Sequence, residues 1–148
     1  MISGGILIRT KNRTLDKEIV LKHVKDMVAA ANEIVDHQPA SEAMALLGQE
    51  NVVFVDLRDP RELKRDGMIP NAFHCTRGML EFWIDPDSPY AKEVFQNPDN
   101  RFVFYCASGW RSALSARTAH EMGLPNVSHI RDGFMGWKKA GGSVAEKE

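Results

Sequence analysis

The chain has 148 residues, the length of one ordinary domain, and is 43% hydrophobic and 26% charged, a balance that supports a packed core and excludes a disordered or fibrous chain. Nineteen Lys and Arg oppose twenty Asp and Glu, for a net charge of −1, so no basic excess points to nucleic acid as a partner. The longest apolar runs, at residues 52–55 and 102–107, are far short of a bilayer span, and Met1-Ile2-Ser3-Gly4-Gly5-Ile6-Leu7-Ile8 lacks the positive region and length of a secretory signal; a cytoplasmic protein without membrane association is expected.

Apolar residues at Leu15, Ile19, Val20, Val24, Met27, Val28, Ala31, Ile34 and Val35 recur at helical spacing and predict an amphipathic helix over residues 15–35, with Thr14 as cap and Pro39 beyond its end. Its stripe is expected to cover an edge of the same core; a homodimer face is the alternative. The chain then divides into a helical extension, residues 1–35, and a domain, residues 36–148. A short helix fits residues 41–47, closed by Gly48. Asn51-Val52-Val53-Phe54-Val55-Asp56 has no polar alternation, the pattern of a strand buried on both faces. Asp59 can cap a helix that has Pro60 at its first position. Residues 77–100, with Pro86, Pro89 and Pro98, read as a long connection with short helical pieces. A second buried strand follows at 102–106, a helix at 112–122, a third strand at 126–130 and a last helix at 133–140. Strands alternating with helices imply a mostly parallel central sheet with helices on both faces, a three-layer α/β fold.

Two cysteines, Cys75 and Cys106, and five scattered histidines show neither a disulfide framework nor paired metal-ligand spacing, so no metal and no cofactor are expected. In parallel α/β sheets the reactive site lies beyond the carboxyl ends of the strands. Asp56 ends the first buried strand and Cys106 the second. After Cys106, the small residues Ala107, Ser108 and Gly109, then Trp110, Arg111 and Ser112, lead into a helix. A loop of this kind turns successive backbone N–H groups inward as an anion nest, and the helix dipole adds to it. Gly109 permits the positive φ of a tight curl. Such surroundings favour a thiolate, so Cys106 is read as a nucleophile; an inert core cysteine is the alternative. Asp56 and Arg58 are read as supporting scaffold, since a buried charge must be paired.

Cys106-Ala107-Ser108-Gly109-Trp110-Arg111-Ser112 resembles the Cys-x-x-Gly-x-Arg-Ser active-site loop of the rhodanese family. Three further blocks agree in order: Val55-Asp56-Leu57-Arg58, Glu62 with Gly67-Met68-Ile69-Pro70-Asn71-Ala72, and Gly133-Phe134-Met135-Gly136-Trp137 followed by Ala140-Gly141. The sequence departs from the family at Met68, where His is usual, at Asn71, where Gly is usual, at Ser143, where Pro is common, and at Gly136, which takes a more variable position. The resemblance implies the rhodanese-like fold and a thiosulfate:cyanide type of sulfurtransferase. Cys106 would carry a persulfide, Arg111 would take part in catalysis, and residues 107–110 with Ser112 would form the substrate-binding loop. The partners would be a thiosulfate-like donor and a thiol or cyanide acceptor.

Two other readings remain. One is a non-catalytic sulfur-carrier or partner-binding module. The other is a phosphatase or arsenate reductase of the same fold, disfavoured because those resemble this loop with one extra residue between Cys and Arg. Trp110 is expected at the pocket mouth, Arg77 in solvent, Cys75 in the core rather than as a resolving thiol, and Phe134 and Trp137 in the core or pocket wall.

Overall fold

The computed structural model describes residues 6–9 and 18–147, with side chains from residue 20 onward. The amino-terminal segment differs from the single long helix expected. Strands β1 (Ile6–Arg9) and β2 (Glu18–Leu21) form an antiparallel hairpin, with Ile6 opposite Leu21 and Arg9 opposite Glu18, and helix α1 occupies Val24–Ile34. Ile19 and Val20 fit a helical stripe, but β-branched residues also suit a strand, and a partner strand decides between the two. His23, not Thr14, takes the N-cap position of α1; Thr14 to Lys17 lie outside the described residues.

Five parallel strands make the central sheet: β3 (Asp36–Gln38), β4 (Val52–Asp56), β5 (Phe73–His74), β6 (Arg101–Tyr105) and β7 (Val127–Ile130), in the order β3-β7-β6-β4-β5. The three long buried strands fall within a residue of their expected bounds. The remaining two strands lie at the sheet edges. Three and two residues long, they are too short to show a period. The helices are α2 (Ala40–Ala43), α3 (Pro60–Asp66), α4 (Leu80–Ile84), α5 (Trp110–Glu121) and α6 (Gly133–Lys139).

Side-chain alternation along β6 builds a core on each face of the sheet. Phe102 and Phe104 point into a cluster with Leu80 and Ile84 of α4 and Ala116 and Ala119 of α5. Val103 and Tyr105 point the other way, against Ala40 and Ala43 of α2 and Phe134 and Trp137 of α6. α1 lies on the α5 side, where Val28 and Ala31 pack on Ala113. Asp59 caps α3 as expected: its side chain accepts from Arg61 N–H at 2.8 Å, and Glu62 accepts from Asp59 N–H at 2.9 Å, completing a capping box. Asn71, which replaces the usual Gly, takes φ 63°, the left-handed region that Asn tolerates better than other side chains. No helix among the described residues is long and apolar enough to cross a membrane.

Candidate functional site

The alternation that points Phe102 and Phe104 toward α5 directs Cys106 to the same side. The chain then curls over the sulfur and enters α5. Gly109 N–H donates to Cys106 Sγ at 3.2 Å and Ser112 N–H at 3.3 Å, while the thiol donates to Ser112 Oγ at 3.5 Å. The first N–H groups of a helix have no partner within it. Here the one on Ser112 is used on sulfur, at the positive end of a 12-residue helix. Cys106 is only 1% exposed, whereas Ser108 and Trp110 are exposed on the outside of the curl.

Backbone contacts hold this loop from behind. Gly109 adopts φ 98°, and a Cβ there would strike the carbonyl oxygen of Arg131. Gly133, at φ 64°, lies so close to the Ala107 carbonyl that it too has no space for a side chain. Phe134 N–H donates to Cys106 O at 2.8 Å and Met135 N–H to Ala107 O at 3.0 Å. The start of α6 therefore clamps the two residues that open the loop. Gly136 leaves room for the Asp132 side chain, whose Oδ1 accepts from Ala40 N–H at 2.7 Å.

Arg111 makes a two-pronged ion pair with Glu62, at 2.8 and 2.9 Å. The guanidinium holds the Glu62 carboxyl below the ordinary range, and Glu62 in turn raises Arg111 further. The Arg111 charge is thus already balanced within the protein. Asp56 and Arg58 lie behind the loop, fully buried, joined at 2.7 and 3.0 Å. Arg58 also donates to Gly67 O at 2.7 Å and lies 4.4 Å from the centre of the Phe134 ring. Burial and the Asp56 carboxylate raise Tyr105, whose hydroxyl accepts from Ile69 N–H at 3.1 Å.

The structure brings Gly109 and Ser112 to the Cys106 sulfur, turns the Arg111 side chain to Glu62, and gives Cys75 and Arg77 other partners. Cys75 belongs to the α5-side core, where burial pushes its thiol up to about 12. Arg77 pairs with Glu81 at 3.0 Å and donates to Thr118 at 3.4 Å. Two residues without a role in the sequence reading join the site. His129 Nδ1 lies 2.9 Å from Ser112 Oγ, and His129 Nε2 lies 2.6 Å from Asn32 Oδ1 on α1. The available signal was a single histidine inside an expected strand.

The arrangement sets one buried sulfur against two backbone N–H donors at the start of α5. Among known proteins, the chain is 53% identical to RPA3614 of Rhodopseudomonas palustris, described as a protein of unknown function and possible tyrosine phosphatase; the alignment covers 86% of this chain and 98% of that one, with a TM-score of 0.81. The polysulfide-sulfur transferase homodimer of Wolinella succinogenes is 27% identical, with a TM-score of 0.67 and coverage of 84% and 88%. YtwF of Bacillus subtilis, provisionally named a sulfurtransferase, is 29% identical over 106 residues, 72% of this chain and 92% of that protein. The chain spans about a third of the tRNA uridine(34) hydroxylases that it also matches, 32% of the one from Cronobacter sakazakii. The rhodanese-like domain family matches residues 39–140, which include both the buried ion pair and the whole Cys106 loop, and the chain belongs to that family.

Proposed function

We propose that the protein transfers sulfane sulfur through a persulfide on Cys106, with thiosulfate as donor. The observation that carries this reading is the convergence of the Gly109 and Ser112 N–H groups on Sγ. The Cys106 thiolate attacks the outer sulfur of thiosulfate, the S–S bond breaks, and its electron pair leaves with sulfite. The outer sulfur of the resulting persulfide is then attacked by a thiol or by cyanide. The second S–S bond breaks and the electron pair returns to Cys106. Charge stays on sulfur throughout, and preorganised N–H donors stabilise it without having to reorganise.

Arg111, tied to Glu62, serves chiefly to fix the far end of the loop, and its half-exposed outer edge adds positive charge at the mouth. Trp110 and Ser108 border the entrance that an acceptor must use. Incubation with thiosulfate followed by intact-mass measurement tests the reading. The expected result is a gain of one sulfur atom that requires Cys106, persists in Cys75→Ala and disappears on adding cyanide. No gain in the wild-type protein would overturn it.

The description of RPA3614 favours phosphate-ester hydrolysis as a second reading. The loop argues against it. Cys106 and Arg111 are five positions apart, a ring suited to a single sulfur, and the guanidinium fork that would grip a phosphate is engaged by Glu62.

A further inference from the structure

We propose that His129, held by Asn32, is a positioning residue that turns the Ser112 hydroxyl hydrogen away from Cys106 Sγ, so that the hydroxyl accepts from the thiol and withholds a third hydrogen bond from the sulfur anion. The argument is one of counting donors. Asn32 Oδ1 carries no hydrogen, so the 2.6 Å contact places the ring proton on His129 Nε2. His129 is fully buried, and burial lowers its titration to about 4, so the ring is neutral and has only that one proton. Nδ1 is therefore bare, and the 2.9 Å contact with Ser112 must be filled by the hydroxyl hydrogen. What Ser112 Oγ offers to the sulfur is a lone pair, which suits a thiol at 3.5 Å and not a thiolate.

When Cys106 is ionised, the hydroxyl can rotate toward sulfur only by stranding Nδ1 in the core. The anion is left with the two backbone donors. This keeps the sulfur more basic, and a more basic thiolate is the stronger nucleophile. Asn32 lies outside the residues matched to the family, so α1 reaches the nucleophile through a three-residue chain that the family resemblance does not contain. The other ionisable groups around His129 are His37, with ring centres 5.8 Å apart, and Arg131, which is 3.2 Å from His37. Arg111, on the loop, is paired with Glu62 and also feels the Asp56 charge. All of these stay in place in the variants below.

The inference rests on Cys106 as the nucleophile. Thiolate formation is read without any sulfur donor, so failure of the coupling and failure of sulfur transfer are seen separately. The experiment follows the ultraviolet thiolate absorbance against pH for the wild-type protein, His129→Phe, Ser112→Ala and the double variant, each relative to its own Cys106→Ser counterpart. His129→Phe frees the hydroxyl to donate to sulfur and should lower the half-height pH by about one unit, roughly tenfold more thiolate at a given lower pH. In the Ser112→Ala background the same substitution should shift nothing. Asn32→Leu, a milder change at a half-buried helix position, releases the tautomer and should move the half-height pH in the same direction by less. The proposal is overturned if His129→Phe or Asn32→Leu leaves the half-height pH unmoved or raises it. It is also overturned if His129→Phe acts equally with and without the Ser112 hydroxyl, as a merely structural disturbance would.

Discussion

Burial of His129 should make the fold acid-sensitive in a defined window. In the unfolded chain the ring titrates near 6.5, while in the folded protein burial lowers this to about 4. Between those values the unfolded chain binds a proton that the native state does not, so stability is complete above pH 6.5 and declines as pH falls toward 4. At about 1.4 kcal/mol per pH unit, the loss attributable to this ring approaches about 3 kcal/mol. Urea unfolding of wild type and His129→Phe at pH 7 and pH 4.5 isolates it, because His23, His37, His74 and His120 are common to both proteins. With a slope of about 1–3 kcal/mol/M, the wild-type midpoint should fall by roughly 1–3 M more than that of the variant. Equal acid losses in the two proteins would refute the assignment of a neutral, acid-resistant ring.

Four other outcomes are expected. Arg58→Met leaves Asp56 charged and unpaired in the core and should cost about 3–5 kcal/mol in chemical denaturation; a loss under about 1 kcal/mol would mean that the pair is not what holds the loop's base. Gly109→Ala must place a side chain at φ 98° against the Arg131 carbonyl, so Cys106-dependent uptake of sulfur should fall at least about tenfold with the fold intact by circular dichroism; unchanged uptake would show that the loop relaxes freely. Glu62→Gln removes the charge that balances Arg111 and should lower KM for an anionic donor, and an unchanged KM would assign Arg111 a purely structural role. Aryl phosphate should not be hydrolysed; turnover that vanishes in Cys106→Ser would defeat the argument from loop length.

The elements that carry Cys106 were legible because their residues repeat a simple rule. Phe102-Val103-Phe104-Tyr105 has no polar face and so had to be a strand covered on both sides, and Gly109 had to sit where the chain curls most tightly. The Asp56–Arg58 pair followed from the cost of burying a lone charge. Residues 18–21 were misassigned because Ile19 and Val20 satisfy both periods, and only pairing with Ile6–Arg9 chooses between them. The Asn32–His129–Ser112 chain joins residues from α1, β7 and α5, up to 97 positions apart. No local pattern encodes that meeting. It arises from the crossing of α1 over α5 beside the strand that bears His129.

The close approach of Gly109 to Arg131 and of Gly133 to Ala107 constrains how this site can be altered, by a designer or by evolution. Lengthening the ring by one residue, as an oxyanion substrate would need, pushes backbone into backbone at two places, with no side chain to trim in relief. The insertion would have to be accompanied by a rebuilt corner at residues 131–133, more than twenty positions downstream. A single insertion should therefore yield an inactive protein rather than a phosphatase. Exchange of chemistry within this scaffold requires the loop and the start of α6 to be replaced together, as one cassette.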